Sequence, residues 1–205
     1  MNDQTNTKQK KAWTHQADNR ARLIAAGYTI LSEKGIEATT VKEIAHLADV
    51  SPGLFHYYFA SKDELLIAVL YEAGMRFGQQ LQQELRALMA QGKTFSDSAM
   101  LAVMLTGRKY PEWYRLRYEL YALGLRRPEF LQALGGFLAK GRQEIARVIQ
   151  QITGIDEVQA RAMAAVMHAC SDGLALQQLA QPDLDLTASY EVVQRLFDVE
   201  PHAKT

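Results

Sequence analysis

The sequence predicts an all-α protein: an N-terminal three-helix domain carrying a helix-turn-helix, then a larger C-terminal helical bundle. Apolar residues recur at helical spacing along the chain, and no segment sustains the period-2 alternation of a strand. The five prolines, at 52, 111, 128, 182 and 201, fall at helix starts, turns or the tail, where a missing N–H costs little. Capping residues and stop glycines divide the chain into helix-length pieces.

A first helix is expected from about Asp18 to Lys34, with Ala21, Ile24, Ala25, Tyr28 and Leu31 as its apolar stripe and Gly35 as its stop. Thr40 caps the second helix, and Glu43 three residues later completes a capping box. Ile44, Leu47 and Ala48 read as its inner face. Asp49-Val50 makes the turn; Ser51 then caps a third helix with Pro52 at its first position. From that helix Phe55, Tyr58 and Phe59 pack inward, leaving Leu54, His56 and Tyr57 outward. Ser61 caps a long fourth helix reaching about Met89. Further helices are expected at Ser96–Lys109, Pro111–Leu125, Pro128–Ile152, Asp156–Leu179 and Leu186–Phe197. The domains are then a flexible basic arm at 1–17, a helix-turn-helix domain at 18–64 and a large domain at 65–205.

Composition narrows the class. The 205 residues suffice for a packed core, and 48% apolar with 22% charged residues is ordinary for a globular protein. One cysteine, Cys170, excludes an internal disulfide framework and agrees with a reducing cytoplasm. No signal-peptide pattern opens the chain, and no apolar run reaches the ~18 residues of a membrane span, so no membrane partner is expected. Net charge is zero overall, with a slight positive excess in residues 1–62.

The stretch from Gly35 to Leu66 carries the strongest signal. Ala25-Ala26, Gly35, Thr39-Thr40, Ile44-Ala45, Ala48, Val50-Ser51, Gly53, Tyr58-Phe59, Lys62 and Leu65-Leu66 stand in register across residues 20–70. On these residues the chain resembles the TetR family of transcriptional repressors. The large domain matches more loosely, through a Pro128-Glu129 break and an Asp172-Gly173-Leu174 segment. The resemblance implies a homodimer with an N-terminal DNA-binding domain and a C-terminal ligand-binding and dimerisation domain. It departs from the family pattern at Asp49, where glycine is usual, and in the run His56-Tyr57-Tyr58-Phe59, where many members carry Tyr-His-Tyr-Phe. Asp tolerates left-handed backbone better than most residues, so the turn should survive.

Residue chemistry assigns roles within the motif. Ser51, Pro52 and Gly53 open the recognition helix, and Gly53 lets backbone approach DNA closely. Leu54, His56 and Tyr57 can reach base edges or thymine methyls. Thr40, Lys42 and Lys62 flank them at helix starts, where lysines and backbone N–H groups suit phosphate oxygens. Lys8, Lys10 and Lys11 lie in the arm, either as a solvated tail or on the neighbouring DNA backbone.

In the large domain, Tyr110, Tyr114, Tyr118, Tyr121 and Leu125 form one helical stripe and Trp113, Leu116, Leu120 and Leu123 another, with Arg117 between them. A guanidinium there must be paired or line a cavity, because burying it alone is costly. Candidate effector contacts are Tyr110, Trp113, Tyr114, Arg117, Tyr118, Tyr121 and His168, with Met100, Met104, Met163 and Met167 suited to a plastic wall. The Asp156–Leu179 helix is apolar nearly all round and reads as buried. Its small-residue stripe Ala165, Ala169 and Gly173, with Tyr190, Val193 and Phe197 of the last helix, is the candidate dimer interface. His168 and Asp172, one turn apart, read as a sensing pair or a stabilising one.

No phosphate loop, nucleophile motif or metal-ligand spacing occurs, so neither enzyme activity nor a cofactor or metal is expected. The reading is a ligand-responsive dimeric repressor, partnered by a double-stranded DNA operator, a small-molecule effector and a second copy of itself. The rival is a small-molecule or lipid carrier of the same fold that does not bind DNA.

Overall fold

The computed structural model describes residues 3–93 and 109–196, with side chains described from residue 18. Eight helices make up these residues, and no strand occurs among them: α1 Asp3–Ala38, α2 Val41–Leu47, α3 Pro52–Tyr58, α4 Lys62–Ala90, α5 Pro111–Arg126, α6 Pro128–Thr153, α7 Glu157–Ala180 and α8 Thr187–Leu196. The all-α class is as expected. The Ser96–Lys109 helix, together with Met100, Met104 and Phe197, falls outside the described residues except for Lys109.

The boundaries of α2 to α8 lie within a few residues of those read from sequence; side-chain caps open α2, α3, α4 and α7, and Pro111 and Pro128 open α5 and α6. Thr40 accepts from the Glu43 amide, and the Glu43 carboxylate takes the Thr40 amide in return. Ser51 accepts from Leu54 N–H, Ser61 from Glu64 N–H and Asp156 from Gln159 N–H. Such a cap is worth about 1 kcal/mol. Helix α1 differs from expectation. It begins at Asp3 rather than Asp18, and helical structure resumes to Ala38 after Gly35, whose φ of 76° breaks the run. Asp49 takes φ 52°, the left-handed geometry that its turn requires.

Helices α1 to α3 form one unit around Leu23, Ile44, Ala45, Phe55 and Phe59, all buried. Helix α4 continues that core through Leu65, Leu66, Val69 and Leu70, then runs into the large domain, where Leu85 and Leu88 join a second cluster with Ile149 and Met167. Helices α6 and α7 are joined by a short turn through Gly154 and pack as neighbours, with α5 between them and α1. The N-terminal unit and the large domain are therefore not independent bodies: α4 belongs to both, and α1 packs on α5.

Two sequence expectations on packing fail. Leu47 is 52% exposed rather than inward, and Ile44, Ala45 and Ala48 supply the buried side instead. Helix α7 is not buried all round: Val158, Val166 and Leu176 are exposed, as are Ala165, Ala169 and Gly173.

Candidate nucleic-acid interface and effector cavity

Helix α3 is anchored from one side only. Phe55 and Phe59 are wholly buried and stack at 5.7 Å, while His56 and Tyr57 stand exposed and Leu54 is half-buried. Gly53 leads the helix with only Ser51 Oγ, at 3.9 Å, near the place a Cβ would occupy. Thr40, Lys42, Ser51 and Pro52 are exposed around it. Seven residues of one short helix thus present an unobstructed outer face beside two helix N-termini, which is the geometry by which a helix-turn-helix enters a major groove.

Lys62 differs from the other candidates. Its ammonium donates to the carbonyls of Ile36 and of Thr39, the latter at 2.6 Å, and partial burial lowers its pKa. Two of its three donors therefore close the end of α1, leaving one for any phosphate. The expected phosphate lysine is first a brace for the turn from α1 to α2. Glu43 serves the same turn: Lys34 and the Thr40 amide hold its carboxyl down at about 2.

The large domain holds a cavity of about 440 Å³ between α4, α6 and α7, with Trp113 and Arg117 of α5 completing its wall. Of the three glycines in its wall, Gly78 has open space where a Cβ would stand, whereas on Gly141 that place lies 3.4 Å from His168. A Cβ on Gly74 would lie 2.3 Å from the Phe137 ring, so that ring occupies the notch.

Of the expected effector residues, Trp113, Arg117, Met167 and His168 line this cavity. Tyr110 lines a smaller one, about 290 Å³, between α1, α4 and α5. Tyr114, Tyr118 and Tyr121 line neither, because they face the chain's own cation. The Arg117 guanidinium lies 4.4 Å from the Tyr114 ring centre, 5.6 Å from Tyr121 and 5.8 Å from both Trp113 and Tyr118. It is ion-paired with Asp172, whose backbone carbonyl also accepts from Tyr118 Oη at 2.6 Å. Arg117 thus meets both conditions set by its position, being paired and at a cavity wall. Leu125, the last of that stripe, is 75% exposed beyond the packed part of α5.

His168 Nε2 lies 3.7 Å from the second Asp172 oxygen, and burial lowers its pKa, so the ring is favoured neutral. Sequence reading missed Tyr71, Phe77, Phe137, Lys140 and Ser171 in the wall. The available signal was Gly78, inside an otherwise strong helix, where nothing occupies the place of a Cβ.

At the candidate dimer interface, Ala165, Ala169 and Gly173 are exposed on one face of α7. Tyr190 and Val193 are not on that face: each is 8% exposed, turned into the protomer's own core by α8. No helix among the described residues is long and apolar enough to cross a membrane, and no metal-holding cluster of side chains occurs among them.

A one-sided helix-turn-helix sharing α4 with a cavity-bearing helical domain is the architecture of a DNA-binding regulator. The comparisons agree. Residues 23–69 match the family model described as bacterial regulatory proteins, tetR family, and residues 94–199 match the tetracyclin repressor-like C-terminal domain. The chain belongs to the TetR family of transcriptional regulators, and is accordingly a regulator rather than an enzyme.

Among curated relatives, the HTH-type transcriptional regulator BetI of Rhizobium meliloti is 45% identical over 51 residues, 25% of each chain. BetI of Brucella canis is 32% identical over 95 residues, 45% of this chain and 46% of that one. These matches span less than half of the relatives' length. Solved structures align over more. A TetR-family member from Streptomyces coelicolor is 30% identical, covering 88% of this chain and 99% of that one with a TM-score of 0.66. The multidrug binding protein EbrR, solved with imidazole, is 28% identical over 89% of this chain and 97% of that one, also at 0.66.

Proposed function

We infer that this protein is a ligand-responsive dimeric repressor acting in the cytoplasm. It binds a palindromic operator through α3 and is released by a small-molecule inducer in the 440 Å³ cavity. The observation that carries the reading is the shared helix: α4 begins against the DNA-facing unit and ends as a cavity wall. A ligand that displaces α4 therefore moves α3, and coupling requires only that it bind the DNA-incompetent arrangement better.

In this reading residues 18–64 are the DNA-binding domain and 65–205 the effector and dimerisation domain. Gly53, Leu54, His56 and Tyr57 face base edges; Thr40, Lys42, Ser51 and Pro52 face the backbone. The exposed apolar face of α7, with Val158, Val166, Ala169 and Leu176, pairs with the same face of a second copy. The two α3 helices would then sit about one helical turn apart, ~34–36 Å. The test is a footprint on the DNA upstream of the protein's own coding region, titrated with competitor. A two-fold symmetric footprint supports the reading, and binding that competitor removes would contradict it.

A further inference from the structure

The cavity is lined by two kinds of side chain. Leu81, Leu85, Ile145, Val148 and Met167 are apolar. Arg117, Lys140, Glu144, Arg147, His168 and Ser171 are polar or charged. Its carboxylates are already engaged. Asp172, behind the wall, pairs with Arg117, and Glu144 pairs with Arg147 at 2.7 Å. Lys140 is exposed and has no ion pair among the described residues.

An ammonium entering this space would meet two guanidiniums and no uncommitted carboxylate, and desolvating it there would be costly. The aromatic rings in the cavity wall are already engaged: Trp113 lies 5.8 Å from the Arg117 guanidinium, Tyr71 packs edge-on with Phe137, and Phe77 packs edge-on with Tyr114. An oxyanion meets the opposite surroundings: the Lys140 ammonium, the Ser171 hydroxyl and an imidazole able to donate. The His168 ring is faced by Arg117, Arg142 and Asp172, and burial is the first cause of its lowered pKa. An anion beside it would oppose that shift.

We propose that the effector cavity selects an amphipathic monoanion, its oxyanion head near Lys140, His168 and Ser171 and its hydrocarbon body against Leu81, Leu85, Val148 and Met167. The proposal rests on the regulator reading for its biological meaning but not for its chemistry.

The experiment is isothermal titration of the full-length protein with decanoate, decanol and decyltrimethylammonium, each kept below micelle formation, with hexanoate and dodecanoate bracketing the length. Operator release is measured in parallel. The expected result is decanoate at least tenfold tighter than decanol, and the ammonium weakest. Lys140→Gln should bring decanoate toward decanol, and Lys140→Arg should restore it. Equal or tighter binding of the ammonium would overturn the proposal, as would three indistinguishable head groups or no carboxylate binding at any length. Decanoate that binds without releasing operator supports the anion site and counts against the effector reading. Release by the ammonium alone keeps the effector reading and overturns the anion class.

Discussion

The Glu119 carboxylate of α5 accepts a hydrogen bond at 2.9 Å from the backbone amide of Ile36, in the turn that leads from α1 to α2. Gly35 leaves the room: a Cβ there would lie 3.2 Å from Glu119 Oε1, on a backbone with φ of 76°. Two residues before Glu119 on the same helix, Arg117 lines the cavity. One helix therefore touches the cavity and the base of the helix-turn-helix unit. Glu119→Ala should weaken operator binding several-fold while costing only about 1 kcal/mol of stability, as expected for one exposed hydrogen bond. Glu119→Gln keeps an acceptor and should retain most affinity. Operator titration beside thermal melting checks both.

Gly53→Glu should abolish specific DNA binding with the fold intact. A Cβ at this exposed position would meet only Ser51 Oγ, at 3.9 Å, while a carboxylate at the tip of α3 would oppose phosphates. Circular dichroism and operator titration on the same sample separate the two effects.

Lys42 and Lys62 should part company in salt titrations. Lys42 is exposed beside α3, so Lys42→Gln should reduce the salt slope by about 0.9 per phosphate contact, nearly two per dimer. Lys62 is spent on the Ile36 and Thr39 carbonyls, so Lys62→Gln should lower affinity and melting temperature with a smaller change of slope.

Arg117→Met should be strongly destabilising, by about 3–5 kcal/mol, because it leaves Asp172 without its partner. The double variant Arg117→Met, Asp172→Asn should recover most of that loss, since removing both charges removes the uncompensated one. Denaturant unfolding of the single and double variants gives the coupling energy.

Two groups set opposite ends of the acid response. Burial lowers the folded pKa of His168 below its unfolded value, about 6.5. The neutral ring is the one the fold favours, so its contribution is complete above that pH and is lost as pH falls through the folded pKa. The Glu43 carboxyl, held at about 2, contributes above its unfolded pKa and loses that as pH drops toward 2. His168→Gln should flatten stability just below neutrality, and Glu43→Gln should flatten it only in strong acid. Melting temperature against pH for each variant checks the assignment.

The fold was legible because its boundaries are written in side chains that act locally. Thr40 with Glu43, Ser51 with Pro52, Ser61 and Asp156 each bond to backbone three residues away, so a linear reading finds them. The outward set on α3 was legible for the same reason, since Phe55 and Phe59 fix which side is inward. What depended on distant partners was not. Lys62 meets carbonyls more than twenty residues earlier in the chain, and Tyr114, Tyr118 and Tyr121 close on Arg117 instead of opening to a ligand. Tyr190 and Val193 carry the composition of an interface yet fill their own protomer, because α8 folds them back onto it. The cavity was the least legible part, because its wall gathers side chains of four helices far apart in sequence.

The central claim is that α3 reads DNA and the cavity controls it. The direct measurement is quantitative binding to the DNA upstream of the protein's own coding region, across a salt series with excess nonspecific competitor. The predicted result is competitor-resistant binding with a two-fold symmetric footprint, lost in Gly53→Glu and reversed by a cavity ligand. Binding that competitor removes, and that Gly53→Glu leaves unchanged, would contradict it.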